Sequence, residues 1–211
     1  MADYIQPHWD RSALVVIDFQ RDFLDDGVAA IPGTTAVVPN VASLVEGFRN
    51  AGRPIIHVIR LYEPGGSDID PPRRDSIENG AAVVAPGTEG SQVADGVLPH
   101  VFRLDADLLL AGKAQEVGPN EIVIFKPRWS AFHRTELDAL LRAQGCDTVV
   151  VAGCNLPNCP RATLFDASER DFRAVLVADA VSQTSHERLA DLERIGITLH
   201  STAAVLASIR T

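Results

Sequence analysis

Short, unbroken apolar runs, each closed by a polar or charged residue, recur along this chain and limit its folds more than any other feature. Ala13-Leu14-Val15-Val16-Ile17 stops at Asp18. Segments 54–60 (PIIHVIR), 121–125 (EIVIF), 148–151 ahead of Ala152-Gly153, and 174–177 ahead of Ala178-Asp179 repeat the pattern, and 197–200 is a shorter sixth candidate. Runs that are apolar on both faces suit central strands of a parallel sheet covered by helices on either side.

Helical periodicities lie between the runs. Segment 39–51 sets Val41, Leu44, Val45 and Phe48 on one face and stops at Gly52, in the manner of a C-terminal cap. Segment 135–144 opens with capping chemistry at Arg134-Thr135 and ends at Gly145, and 161–170, 186–194 and 202–209 complete the set. Strands that alternate with helices imply right-handed crossovers. The expected fold class is therefore α/β: a three-layer α/β/α, Rossmann-like domain spanning 1–211 with a six-stranded, mainly parallel sheet. Segment 61–118 breaks the rhythm with Gly, Pro and charge. It is expected to be one long irregular excursion with a short helix, acting as a lid or substrate loop.

A chain of 211 residues is the size of one domain, and 46% apolar content excludes a disordered class. Nineteen basic against 28 acidic residues, a net charge of −9, argue against a nucleic-acid surface, which needs clustered Lys and Arg. No apolar run approaches the roughly 18 residues of a membrane span, and MADYIQPHWDRS lacks the features of a signal peptide. A cytoplasmic location is expected. Three cysteines at irregular spacing are expected to be free thiols. Cys154 and Cys159 have no second pair or nearby His, which disfavours zinc.

In open parallel sheets, ligands bind beyond the carboxyl ends of the strands. Three candidate strands lead there to reactive residues: Asp18, Lys126, and Cys159 just past Gly153 at the start of a helical segment. A thiolate is a nucleophile, favoured by a helix N-terminus and a nearby cation. Asp18 suits a general base that takes the thiol proton and later activates water, and Lys126 offsets the charge. Backbone N–H groups between Gly153 and Cys159 suit an oxyanion hole.

The segments VVIDFQRDF, PGTEG, FKPRWSAF and VVVAGCNLPNCPRATLFDASERDF, in that order, resemble the isochorismatase-like cysteine hydrolase superfamily over nearly the whole chain. The resemblance implies a catalytic Asp18, Lys126 and Cys159, and hydrolysis of an amide, carbamoyl or ureide C–N bond in a small molecule through a thioester. It also implies a cis peptide at Cys154-Asn155, oxyanion donors at the N–H groups of Asn155 and Cys159, and substrate contacts from Gln20, Phe23, Trp129 and Phe132. Similar proteins are homo-oligomers, so a homo-oligomer is expected here.

Two departures stand out. The family's Thr three residues before the nucleophile is Leu156, followed by Pro157. The metal-binding nicotinamidase branch has an Asp-x-His pair and further His residues after the second strand, whereas this chain has His57 and then none until His100. No metal or organic cofactor is expected, and nicotinamide is disfavoured. Vinyl ether hydrolysis of an isochorismate-like acid is the same-class alternative. A catalytically silent binding or scaffold protein is the alternative of another class. Cys146 and Cys154 read as structural thiols, and His57 as a satisfied core histidine. Arg60, Arg73 and Arg74 read as solvated loop charges, with Arg60 the candidate contact for an anionic substrate.

Overall fold

The structure, a computed structural model, describes residues 4–66, 68–99 and 101–210. His100 therefore lies outside the described residues. Strands β1 (Ser12–Ile17), β2 (Ile55–Ile59), β3 (Gln115–Gly118), β4 (Glu121–Phe125), β5 (Thr148–Gly153), β6 (Arg173–Val181) and β7 (Thr198–His200) form one sheet, ordered β3-β4-β2-β1-β5-β6-β7. Every pairing is parallel except that of β3 with β4. All residues of β1, β2 and β5 are buried, which is why these strands read as continuous apolar runs without alternation.

The sheet thus has seven strands, not six. The additional strand, β3, comes from within 61–118, where an irregular excursion was expected. It is four residues long, antiparallel and at an edge, with burial that alternates along QEVG. An edge strand with one apolar residue carries no sequence signal of its own, and only its partner β4 defines it. The same segment holds two helices, α2 (Pro71–Glu78) and α3 (Ala106–Leu110).

The remaining helices are α1 (Val38–Asn50), α4 (Leu137–Ala143), α5 (Cys159–Ser168), α6 (His186–Arg194) and α7 (Thr202–Ser208). Alternate residues of β1 feed opposite layers. Ala13, Val15 and Ile17 pack with Leu137 and Leu141 of α4, Leu164 of α5 and Leu192 of α6. Leu14 and Val16 pack with Val41, Leu44, Val45 and Phe48 of α1, Leu109 of α3 and Val205 of α7. Helix α1 follows β1 on one face and α5 follows β5 on the other, so the adjacent carboxyl ends of β1 and β5 mark a topological switch point, where open sheets bind ligands.

Helix α2 belongs to neither layer. Its Ile77 joins Phe23, Tyr62, Ile69, Val84 and Cys154 in a small cluster beside that switch point. Among the described residues, no helix is long and apolar enough to cross a membrane.

Candidate active site

The site begins with a close approach of two backbones. Gly153 ends β5 opposite Ile17 of β1, at φ +116°, and a Cβ there would collide with the Ile17 carbonyl oxygen. Only glycine fits both the space and the dihedral angle. The next residue, Cys154, donates its N–H to Ile17 O at 2.9 Å and its Sγ–H to Asp18 O at 3.1 Å, so the loop after β5 is tied to the end of β1. Gly153→Ala is expected to cost about 2–4 kcal/mol, since left-handed strain adds to overpacking. An unchanged urea midpoint would show that the two backbones are not in this contact.

Asp18 itself sits at φ +48°, a left-handed conformation that costs a non-glycine residue roughly 1–3 kcal/mol. Its N–H is bonded to Val58 O at 2.8 Å, and its carboxylate is held by Lys126 Nζ at 2.7 Å. Lys126 follows β4, is 0% exposed, and also donates to Arg128 O at 3.2 Å. The second carboxylate oxygen, Oδ1, is buried and has no hydrogen-bond partner among the described residues.

Cys159 is the first residue of α5, and Pro160 after it suits an early helical position because its missing N–H has no helical partner to lose. The Cys159 N–H lies in the same first turn, where N–H groups lack an intrahelical acceptor. Thr163 Oγ1 donates to Cys159 O at 2.8 Å and accepts the Ala131 N–H at 3.0 Å, which ties the WSAF loop to the helix. Burial pushes the Cys159 thiol up to about 12; Asp18 adds to the rise, while Lys126 and Arg60 pull against it. The sequence suggested a thiolate favoured by the helix terminus and a cation. Instead, burial dominates, and the resting group is the neutral thiol.

These side chains open onto a cavity of about 130 Å³, whose wall includes Asp18, Cys154, Asn155, Asn158 and Cys159. The Cys154–Asn155 peptide is cis, as the resemblance implies, and Asn155 Nδ2 is anchored to Gln183 Oε1 at 2.9 Å. Phe23, Arg60 and Trp129 also line the cavity. Trp129 is 41% exposed.

Two expected contacts are absent from the wall. Gln20 is fully buried, and its amide donates to Arg60 O and Ser91 O and accepts the Arg60 N–H, at 2.7–2.8 Å. Its hydrogen-bonding capacity goes to fixing the backbone of Arg60. Phe132 packs in the core and stacks on Phe172, with ring centroids 5.8 Å apart.

The arginines also depart from solvated charges. Arg60 is only 3% exposed and pairs with Asp70 at 3.0 Å, Arg73 is half-buried on the cavity wall, and Arg74 donates to Ile69 O at 2.9 Å. Tyr62 and Asp70, which the sequence did not single out, complete this side, with Tyr62 Oη donating to Asp70 Oδ1 at 3.1 Å. Their signal was hidden in an excursion without periodicity. PGTEG has a packing role: the Asp22 carboxylate, which also accepts the Val84 N–H at 2.6 Å from just before the segment, occupies the place where a Gly90 Cβ would go.

An isochorismatase domain model matches residues 12–206. The chain belongs to the isochorismatase family. It is 32% identical over 209 residues to a probable inactive nicotinamidase of Arabidopsis thaliana, covering 94% of this chain and 98% of that one. An isochorismatase family protein from Desulfovibrio vulgaris superposes with a TM-score of 0.81 at 31% identity, covering 96% of this chain and 100% of that one. The N-carbamoylsarcosine amidase of Thermoplasma acidophilum gives a TM-score of 0.72 at 30% identity, covering 91% and 96%.

Both departures from the family pattern have structural correlates. Leu156 is buried in the core, with its N–H bonded to Ser182 O at 3.0 Å. His57 is buried with Nε2 2.7 Å from Glu121 Oε1. Burial lowers its pKa against the pull of that carboxylate. Burial would raise Glu121, but its hydrogen bonds to His57 and Arg49 prevail and hold it at about 2. Among the described residues, no group of three or more His, Cys, Asp or Glu side chains could hold a metal ion.

Proposed function

We propose that this protein is a cysteine-dependent hydrolase of an amide, carbamoyl or ureide bond in a small molecule. The observation that carries this reading is the convergence of Asp18, Lys126 and Cys159 at the end of the sheet, with Asp18 and Cys159 on one cavity wall and Lys126 paired to Asp18 at 2.7 Å. Because the resting thiol is neutral, the first step is proton transfer: Asp18 takes the thiol proton as Sγ forms a bond to the substrate carbonyl carbon. Lys126 offsets the remaining negative charge, which moves to the carbonyl oxygen. That oxyanion accepts the N–H groups of Asn155 and Cys159.

The C–N bond then breaks, with the amine leaving on the proton held by Asp18. Asp18 next takes a proton from water, the hydroxide adds to the thioester carbonyl, and the C–S bond breaks to release the acid. The thiolate recovers its proton from Asp18. The balance is one water consumed, one acid and one amine formed. Support comes from family membership and from the likeness to an N-carbamoylsarcosine amidase at 30% identity. The test is a screen of amides, carbamoyl amino acids and ureides for ammonia or amine release, with Cys159→Ala as the blank. Turnover that survives in Cys159→Ala at near wild-type rate would exclude covalent catalysis and leave vinyl ether or other acid chemistry.

The similarity to a probable inactive nicotinamidase favours one competing reading, a silent binding protein on the same fold. Labelling of Cys159 by a small electrophile across the alkaline range separates the two: an accessible thiol reacts faster as it ionises, and a sealed structural thiol does not react.

A further inference from the structure

The charges on the cavity wall pair off unevenly. Asp18 is neutralised by Lys126, and Asp70 by Arg60 Nη2 at 3.0 Å. Arg73 also lines the cavity and makes no ion pair among the described residues. Arg60, 3% exposed, keeps its Nη1 buried and without a hydrogen-bond partner among the described residues. A buried guanidinium nitrogen left unmade is costly, and it persists where a ligand completes it. The fold holds Arg60 in place from several sides. Gln20 bonds its backbone N–H and C=O, Asp70 takes Nη2, and the Tyr62 ring lies 5.4 Å from its Cζ.

Taken together, the wall and the Lys126 that backs Asp18 hold one positive charge in excess, the wall has one unsatisfied donor, and Cys159 lies on the same wall. We propose that the substrate is a short acid amide whose carboxylate is bound by Arg73 and the free Nη1 edge of Arg60, while its scissile carbonyl lies at Cys159. This rests on the hydrolase reading of the site and adds the class of substrate to it. A cavity of about 130 Å³ suits a ligand of few heavy atoms, since an engineered void of about 150 Å³ holds benzene. The geometry of guanidinium and carboxylate suits a charge-assisted, two-point contact. The neutral resting thiol also matters, because a thiolate would repel an arriving carboxylate and the thiol does not.

The test uses acid and neutral partners of one skeleton: oxamate with oxamide, malonamate with malonamide, and succinamate with succinamide, titrated calorimetrically into Cys159→Ala protein. At least one acid is expected to bind about 10-fold or more tightly than its diamide, the size of one charge-assisted contact. Adding Arg73→Gln should bring the pair within about 3-fold, and Arg73→Lys should keep most of the preference, since Lys retains the charge. Arg73 is half-buried, so its variants test the idea even if Arg60→Gln fails to fold.

The proposal is overturned if no acid outbinds its diamide, if no member of any pair binds, or if Arg73→Gln leaves the preference intact. The two readings fail separately. Turnover of neutral amides that needs Cys159, without acid preference, would sink only the carboxylate subsite. Acid preference without any turnover would sink only the hydrolase.

Discussion

Replacing Asp18 by Asn is expected to cut amide turnover by about 10²–10⁴-fold, the usual worth of a positioned general base, while making Cys159 react faster with iodoacetamide at neutral pH. The two effects run in opposite directions because Asp18 does two things to one thiol. It is the second cause, after burial, that raises the thiol to about 12, so removing its charge lowers the thiol pKa and leaves Lys126 to pull it lower still. More thiolate is then present at pH 7, and alkylation, which needs only the thiolate, speeds up. Turnover also needs the proton delivered to the leaving amine, and Asn cannot deliver it. In the wild-type protein the alkylation rate should climb steadily through the alkaline range, and in the variant the same rise should come at lower pH. Mass spectrometry of Cys159 against time, beside an ammonia assay, reads both. A variant that alkylates more slowly than wild type would mean that Asp18 does not act on this thiol.

Lys126→Met is expected to destabilise the protein by about 3–5 kcal/mol, because the partner carboxylate stays buried without a counter-charge. Asp18 is 4% exposed and Lys126 is 0% exposed, so water cannot take over the lost contact. The double variant Asp18→Asn, Lys126→Met should recover most of the loss, since it removes both buried charges. Urea unfolding of the four proteins checks this as a cycle. A loss below about 1 kcal/mol in Lys126→Met would place the pair in a solvated setting, where such contacts are weak.

Much of the layout is legible in the sequence. The apolar runs at 13–17, 54–60 and 148–151 locate β1, β2 and β5 because these strands are buried on both faces, and burial on both faces is what writes an unbroken run. Asp18, Lys126 and Cys159 stood out because a charge or thiol after such a run has few structural uses. β3 was missed for the converse reason, having one apolar residue and one strand partner. Gln20 and Phe132 were assigned to the pocket by resemblance. The sequence holds no sign of which way a side chain turns once its backbone is near a site.

The sequence by itself determined the order of the buried strands and the helices between them, the glycine that permits the approach of β5 to β1, and the residues able to do thiol chemistry. Each of these is a local property: periodicity, dihedral tolerance or functional group. Only the tertiary structure decided that the thiol rests neutral, that Arg60 is buried and half-satisfied, and that 61–84 supplies Tyr62, Asp70 and Arg73 to the cavity wall. Desolvation and charge balance depend on every group within reach in space, and residues far apart in the chain supply them.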